Sequence, residues 1–156
     1  MIDEVLIKDA LRRSMDLLYQ FKASDLLRDM AAAQSLRNEV PFAFSLDDRV
    51  VHGVVDALYQ SEKGQWVVVD FKTDRIKMEG VAKRTEEYLV QLGLYQAGME
   101  MALGKPPQVI VYYLFPGVPI EIDGDMLLEV RAKVHNLFNE LNTQSIHLGA
   151  KLRLVH

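Results

Sequence analysis

Asp70 and Lys72 stand two apart in the run Trp66-Val67-Val68-Val69-Asp70-Phe71-Lys72. On a strand, residues i and i+2 share a face, so the carboxylate and the ammonium point the same way. A charged pair at the end of an otherwise apolar strand is poor packing material, because burying either charge without partners costs several kcal/mol. An intrastrand salt bridge at the sheet edge is the plain reading. Asp56 changes that balance. It interrupts the apolar run Val54-Val55-Asp56-Ala57-Leu58 on the preceding strand, with Gly53 three residues earlier, where a close backbone approach is allowed. Two carboxylates on adjacent strands begin a site for a hard cation, since magnesium is held by one or two carboxylates plus waters and phosphate oxygens. Glu39, beside Val40-Pro41-Phe42, either adds a carboxylate, directly or through water, or is a solvated strand end.

A second constellation lies farther along. Tyr88, Gln91, Leu92 and Tyr95 fall at i, i+3, i+4 and i+7, so a helix carries them on one face. Leu92 alone marks core. Gln91 with two tyrosines makes the stripe polar and aromatic, although a tyrosine stripe is more often packing than ligand contact.

The elements that must hold these residues follow from periodicity. Residues 3–20 carry Val5, Leu6, Ala10, Leu11, Met15 and Leu18 at helical intervals, and Ser24 is an N-cap for a second helix over 25–36. From Glu39 the period becomes two, through Val40, Phe42, Phe44 and Leu46, with Asp47-Asp48 as the turn into a strand over 49–60. After the loop Ser61-Glu62-Lys63-Gly64 comes the strand over 66–72, which reads as central. Residues 74–80 read as loop, and a long helix runs from 82 to 103, ended by Gly104 and Pro106-Pro107. Strands at 108–115 and 118–122 and a helix over 125–142 complete the set, leaving a tail from Thr143. The fold class is therefore α/β (α+β), a mixed sheet flanked by helices in the order α α β β β α β β α. The domain expectation is a single unit over 1–156. Helices occupy 1–36, and the core sheet with its long helix occupies 37–122. The helix 125–142 and the tail 143–156 follow.

Composition removes other classes. With no cysteine there is neither a disulfide framework nor a thiolate zinc site, which fits a reducing, cytoplasmic setting. No run of 18 apolar residues exists, so no membrane span is expected. The 156 residues suffice for a real core. The formal charge of −4 argues against holding nucleic acid by bulk positive charge, so any DNA contact must be local.

Taken in order, Glu39-x-Pro41-Phe42, Gly53-x-x-Asp56, Asp70-Phe71-Lys72-Thr73 and Gln91-x-x-x-Tyr95 closely resemble the RecB-like nuclease branch of the PD-(D/E)XK superfamily. That branch forms the nuclease domain of bacterial helicase–nucleases of the RecB and AddA type. The resemblance spans about residues 24–115. It implies that Asp56 and Asp70 bind Mg²⁺ or Mn²⁺, with the Phe71 backbone carbonyl close to the metal and Glu39 as a further ligand. It implies that Lys72 orients the attacking water and offsets developing charge. By the same resemblance Gln91, Tyr95, Tyr88 and Thr73 contact DNA or support the site. The implied reaction is exonuclease-type hydrolysis of DNA phosphodiesters to a 5′-phosphate and a 3′-hydroxyl, in double-strand break repair and recombination. The implied partners are DNA and a helicase in the same or another polypeptide.

One departure stands out. The family's histidine ligand precedes the Glu-x-Pro-Phe strand, whereas the four histidines here, His52, His135, His147 and His156, all follow Glu39. His52 is four strand residues from Asp56, roughly 13 Å, too far to share a metal without a bend. The chain alone is therefore expected to be weakly active or inactive, as a piece of something longer. No G-x-x-x-x-G-K-[ST] loop occurs, so the chain is not expected to hydrolyse ATP. The competing reading is the same fold kept for DNA contact or assembly without cleavage.

Overall fold

The computed structural model describes residues 3–46 and 49–152, with side chains through residue 140. The expected Asp47-Asp48 turn lies outside the described residues. The elements run α1 (Glu4–Lys22), α2 (Asp25–Ala31), β1 (Ser35–Leu46), β2 (Arg49–Gln60), β3 (Trp66–Lys72), α3 (Met78–Leu103), β4 (Gln108–Tyr113), β5 (Val118–Ile122) and α4 (Gly124–Leu152). This is the element order read from the sequence. The five strands form one sheet in the order β1-β2-β3-β4-β5. Every neighbouring pair is antiparallel except β3 and β4, which are parallel and joined by the crossover helix α3.

Local chemistry accounts for the helix ends. Ser24 Oγ accepts from the Leu27 N–H at 3.2 Å, the cap expected for α2. Gly104 closes α3 in the left-handed region, φ 74°. Asp123 Oδ1 accepts from the Asp125 and Met126 N–H groups at the start of α4.

The main differences from the expected boundaries are these. α2 stops at Ala31 rather than 36, because Ser35 to Asn38 are taken into β1, opposite Gln60 to Ala57. α3 begins at Met78 rather than 82, so the polar residues expected as loop include its first turn. β4 ends at Tyr113 rather than 115. The expected tail from Thr143 is helical as far as Leu152.

The sheet is covered unequally. Under α3 and α4 lies a core that includes Phe42, Val55, Val68, Leu92, Val109, Val111 and Leu127. On the other face a smaller core gathers Leu26, Met30, Tyr59, Val67, Val69 and Tyr112 beneath α2. Val109, Val111, Tyr112 and Tyr113 are buried between these layers, as the apolarity of the run demands. The apolar stripe of α1 behaves otherwise. Val5, Leu6, Leu11 and Leu18 are all exposed, and the helix has no buried residue. It reaches the body at its end, where Phe21 packs edge-on to Phe71 and Tyr112 and Gln20 donates to the Pro116 carbonyl.

The alternation of β2 breaks in the middle. Val51 and Val55 pack into the α3 core, and so does Leu58, whereas Ala57 and Tyr59 enter the opposite core. Odd residues up to 55 and even residues from 58 thus share a face, and the switch falls at Asp56. Because the side-chain period is two, one irregular residue turns the following ones over. On β1 the ladder holds at Asn38↔Ala57 and Val40↔Val55, so the intervening Glu39 sits across from Asp56. Glu39 adopts φ 51°, a left-handed conformation that costs an L-residue about 1–2 kcal/mol.

Phe42 locks this region to α3. A Cβ on Gly53 would lie 2.8 Å from the Phe42 ring, and one on Gly98 would lie closer still. Two glycines therefore make the slot for one aromatic ring, which also meets Tyr95 edge-on at 5.7 Å. Gly98→Ala should overpack the slot, cost about 1–3 kcal/mol and lower the melting temperature by roughly 2–4 °C for each kcal/mol lost. Calorimetry checks this, and an unchanged Tm would contradict the packing account.

Candidate active site

The ladder between β2 and β3 runs from Gln60↔Trp66 to Ala57↔Val69 and then stops. The next pair in register is Asp56 and Asp70. Beyond it β2 continues with β1 alone, while β3 continues with β4 through Lys72↔Tyr113. The strands part at the two aspartates. Asp56 occupies the parting: its Oδ2 accepts from the Phe71 N–H at 2.7 Å, replacing a ladder bond with a charge-assisted one. Glu39, Asp56 and Asp70 thus fall on one line across three strands.

Asp70 is 3% exposed, on the α3 side of the sheet. Its Oδ2 lies 2.8 Å from Lys72 Nζ, a contact without hydrogen-bond geometry. Burial pushes the Asp70 carboxyl above the ordinary value, against the close ammonium of Lys72, and the Asp56 charge pushes the same way. The salt bridge expected as the plain reading is present, yet it does not make this carboxylate comfortable.

Lys72 is the hub. Its Nζ donates to Gln91 Oε1 at 3.0 Å and lies 3.9 Å from the centre of the Tyr88 ring. Gln91 Nε2 donates to the Tyr95 hydroxyl at 2.6 Å, which sets the amide orientation. The stripe read from helical spacing therefore faces the strand end read from strand spacing, while Leu92 turns into the core, fully buried. Burial raises the Tyr95 hydroxyl above its ordinary value, a hydrogen bond from Gln91 opposes this, and the charges of Asp70 and Asp56 add to the rise. Thr73 is exposed just past the strand.

Asp74 is the residue that strand and helix periods did not single out. It accepts from Arg84 through Nε at 2.9 Å and Nη2 at 2.7 Å, and from the Tyr88 hydroxyl at 2.9 Å. Burial opposes its ionisation, but these hydrogen bonds and the charges of Arg84 and Lys72 outweigh it and hold its carboxyl below the usual range. Asp74 thereby ties the segment after β3 to the first turns of α3 and fixes the tyrosine over Lys72. The i, i+4 spacing of Arg84 and Tyr88 was the available signal.

Some expected residues stand apart. Glu39 is exposed, and among the described residues no group of three His, Asp or Glu side chains is gathered closely enough to hold a metal. His52 is exposed and lines an open cleft with Gly53, Tyr88, Gln91 and Tyr95, away from the aspartate pair. His147 and His156 lie outside the residues whose side chains are described.

The sequence model of the PD-(D/E)XK nuclease superfamily matches residues 4–152. An ATP-dependent helicase/nuclease chain from Lysinibacillus sphaericus is 34% identical over 110 residues, 63% of this chain and 9% of the relative. Its counterpart from Acetivibrio thermocellus is 32% identical over 136 residues, 73% of this chain and 11% of the relative. The chain thus spans about a tenth of the length of the curated relatives it matches. Among solved structures, a candidate exonuclease from Eubacterium rectale superposes with a TM-score of 0.59 at 14% identity, covering 83% of this chain and 51% of that one. That likeness concerns the fold.

The raised Asp70 carboxyl carries a stability consequence. A folded-state pKa above the unfolded one contributes stability below the unfolded value and loses it as pH rises through the folded value. At pH 7, above the unfolded value, the raised Asp70 carboxyl is therefore a cost to the metal-free chain. Asp70→Asn should raise the metal-free Tm at pH 7, by roughly 2–4 °C per kcal/mol relieved. Calorimetry in EDTA checks the sign, and a lower Tm would contradict it.

Proposed function

The chain belongs to the PD-(D/E)XK nuclease superfamily, and from that premise we propose that its 156 residues form one nuclease-like domain that hydrolyses DNA phosphodiesters with Mg²⁺ or Mn²⁺. In this reading it is the exonuclease-type part of a cytoplasmic helicase–nuclease serving double-strand break repair and recombination. The helicase lies in the same or a partner polypeptide. The observation that carries the reading is the buried Asp70 carboxylate, paired with Lys72 and beside Asp56, where β2 and β3 part.

The donor set suits a hard cation. Asp70 Oδ2 has no hydrogen bond, and Asp56 lies close enough to raise the Asp70 carboxyl. Asp56 and Asp70 would hold the ion, with the Phe71 carbonyl as a further oxygen donor, Glu39 acting through water, and water and phosphate completing the shell. A bound divalent cation lowers the pKa of its water and polarises the phosphoryl oxygen. The chain's own residues do the rest. Asp56, by gripping the Phe71 N–H, fixes the peptide that follows Asp70. Lys72 offers its ammonium to the water and to the growing negative charge. Gln91, held by Tyr95, aims Lys72, and Tyr88 lies across the ammonium. Tyr88, Gln91, Tyr95 and Thr73 are the DNA-facing residues of this reading.

Asp70's near-complete burial favours a second reading, DNA contact or assembly on the same fold without cleavage. A nuclease assay on a labelled single-stranded oligonucleotide with Mg²⁺ or Mn²⁺ separates the two. The catalytic reading expects slow cleavage that Asp70→Ala abolishes and Lys72→Ala reduces by about 10²–10³-fold. Cleavage by Asp70→Ala at the wild-type rate would overturn the assignment. Binding without any cleavage would establish the second reading.

A further inference from the structure

Phe42 is a partition between two openings. On one side is the cleft with Tyr88, Gln91 and Tyr95. On the other is a groove between the free edge of β1 and the C-terminal half of α3, of about 510 Å³. Phe42, Leu58, Trp66 and Met99 wall this groove, and Arg37 stands at its rim. Arg37 is exposed, and among the described residues its guanidinium pairs with no carboxylate, carbonyl or ring. Trp66, the chain's single tryptophan, is half-buried and offers its ring to the groove.

Register fixes where this groove lies relative to the aspartates. Arg37 pairs with Leu58, and Leu58 with Val68. Asp70 is two residues farther along β3. Arg37 therefore stands about 7 Å along the strands from the Asp56–Asp70 row and two strand spacings across from Asp70, so roughly 12 Å from it, a distance that about two nucleotides of an extended strand span. The irregularity at Glu39 and Asp56 turns Arg37 and Leu58 to the α3 side, where the groove is.

We propose that this groove is a nucleotide subsite, which holds a unit of single-stranded DNA about two nucleotides from the phosphodiester at the aspartates. The proposal rests on the nuclease reading. The base lies against Trp66 and the apolar wall, as bases stack on aromatic rings regardless of sequence. The phosphate takes the Arg37 guanidinium, whose planar fork matches phosphate oxygens. The site also answers the charge of −4: it concentrates one unneutralised cation beside an aromatic surface instead of spreading positive charge over the domain.

The single tryptophan is the reporter. The full chain is titrated with a fluorescein-labelled oligothymidylate at low ionic strength in EDTA, with anisotropy and Trp66 emission read together. The expected result is quenching of Trp66 that tracks the anisotropy. Arg37→Ala, an exposed position, should weaken binding on the order of 10-fold and reduce the slope of log affinity against log salt by about 0.7. Trp66→Phe, which keeps a ring, should weaken binding less. Asp70→Asn should leave the quenching in place. An anisotropy rise with unchanged Trp66 emission, or wild-type affinity and salt slope in Arg37→Ala, would overturn the subsite and leave the nuclease reading standing. No anisotropy change at all would overturn both.

Discussion

A buried carboxylate beside a half-buried ammonium is the constraint around which this chain is organised. Such pairs often fail to recover their desolvation cost, and burial keeps the Asp70 carboxyl above its ordinary value even with Lys72 2.8 Å away. A domain concerned only with stability would fill that position with an aliphatic residue. Instead the surroundings hold the pair in place. Gln91 takes one ammonium donor, the Tyr88 ring lies against the charge, and Asp56 spends an oxygen on the Phe71 N–H. Each of these residues gives up packing or ladder hydrogen bonding for the strand end.

The same constraint shapes the sheet. β2 and β3 separate where the carboxylates face each other, and β2 reverses its alternation there. The left-handed Glu39 opposite is backbone strain at a site, where strain is tolerated when the surroundings over-determine it. Phe42, slotted between Gly53 and Gly98, transmits the position of α3 to this row through Tyr95 and Gln91. The exposed apolar face of α1 stands outside this network and touches the body mainly at Phe21 and Gln20.

Much of this was legible in the sequence because short-range periods carried it. Period two put Asp70 and Lys72 on one face, and period 3.6 put Tyr88, Gln91 and Tyr95 on another. A charge in an apolar run marked Asp56. The Ser24 and Gly104 caps needed only their neighbours. The misplaced boundaries were set at a distance. Residues 35–38 join β1 because β2 supplies partners for them twenty residues later. The phase reversal at Asp56 and the hold of Asp74 on Arg84 and Tyr88 are products of tertiary pairing. Nor could the stripe of α1 be told from a core stripe, since spacing reports amphipathicity and not what covers it. The charge of −4, which argued against nucleic acid, is compatible with the proposed reading, in which acidic residues hold the metal and Arg37 is a local cation.

The central claim is that Asp56 and Asp70 form one cation site at the parting of β2 and β3. Calorimetric titration of the full chain with Mn²⁺ tests it most directly, on wild type and on Asp56→Ala. The account predicts one bound ion per wild-type chain and no measurable binding in Asp56→Ala. Equal binding by both proteins, or none by the wild type, would contradict it.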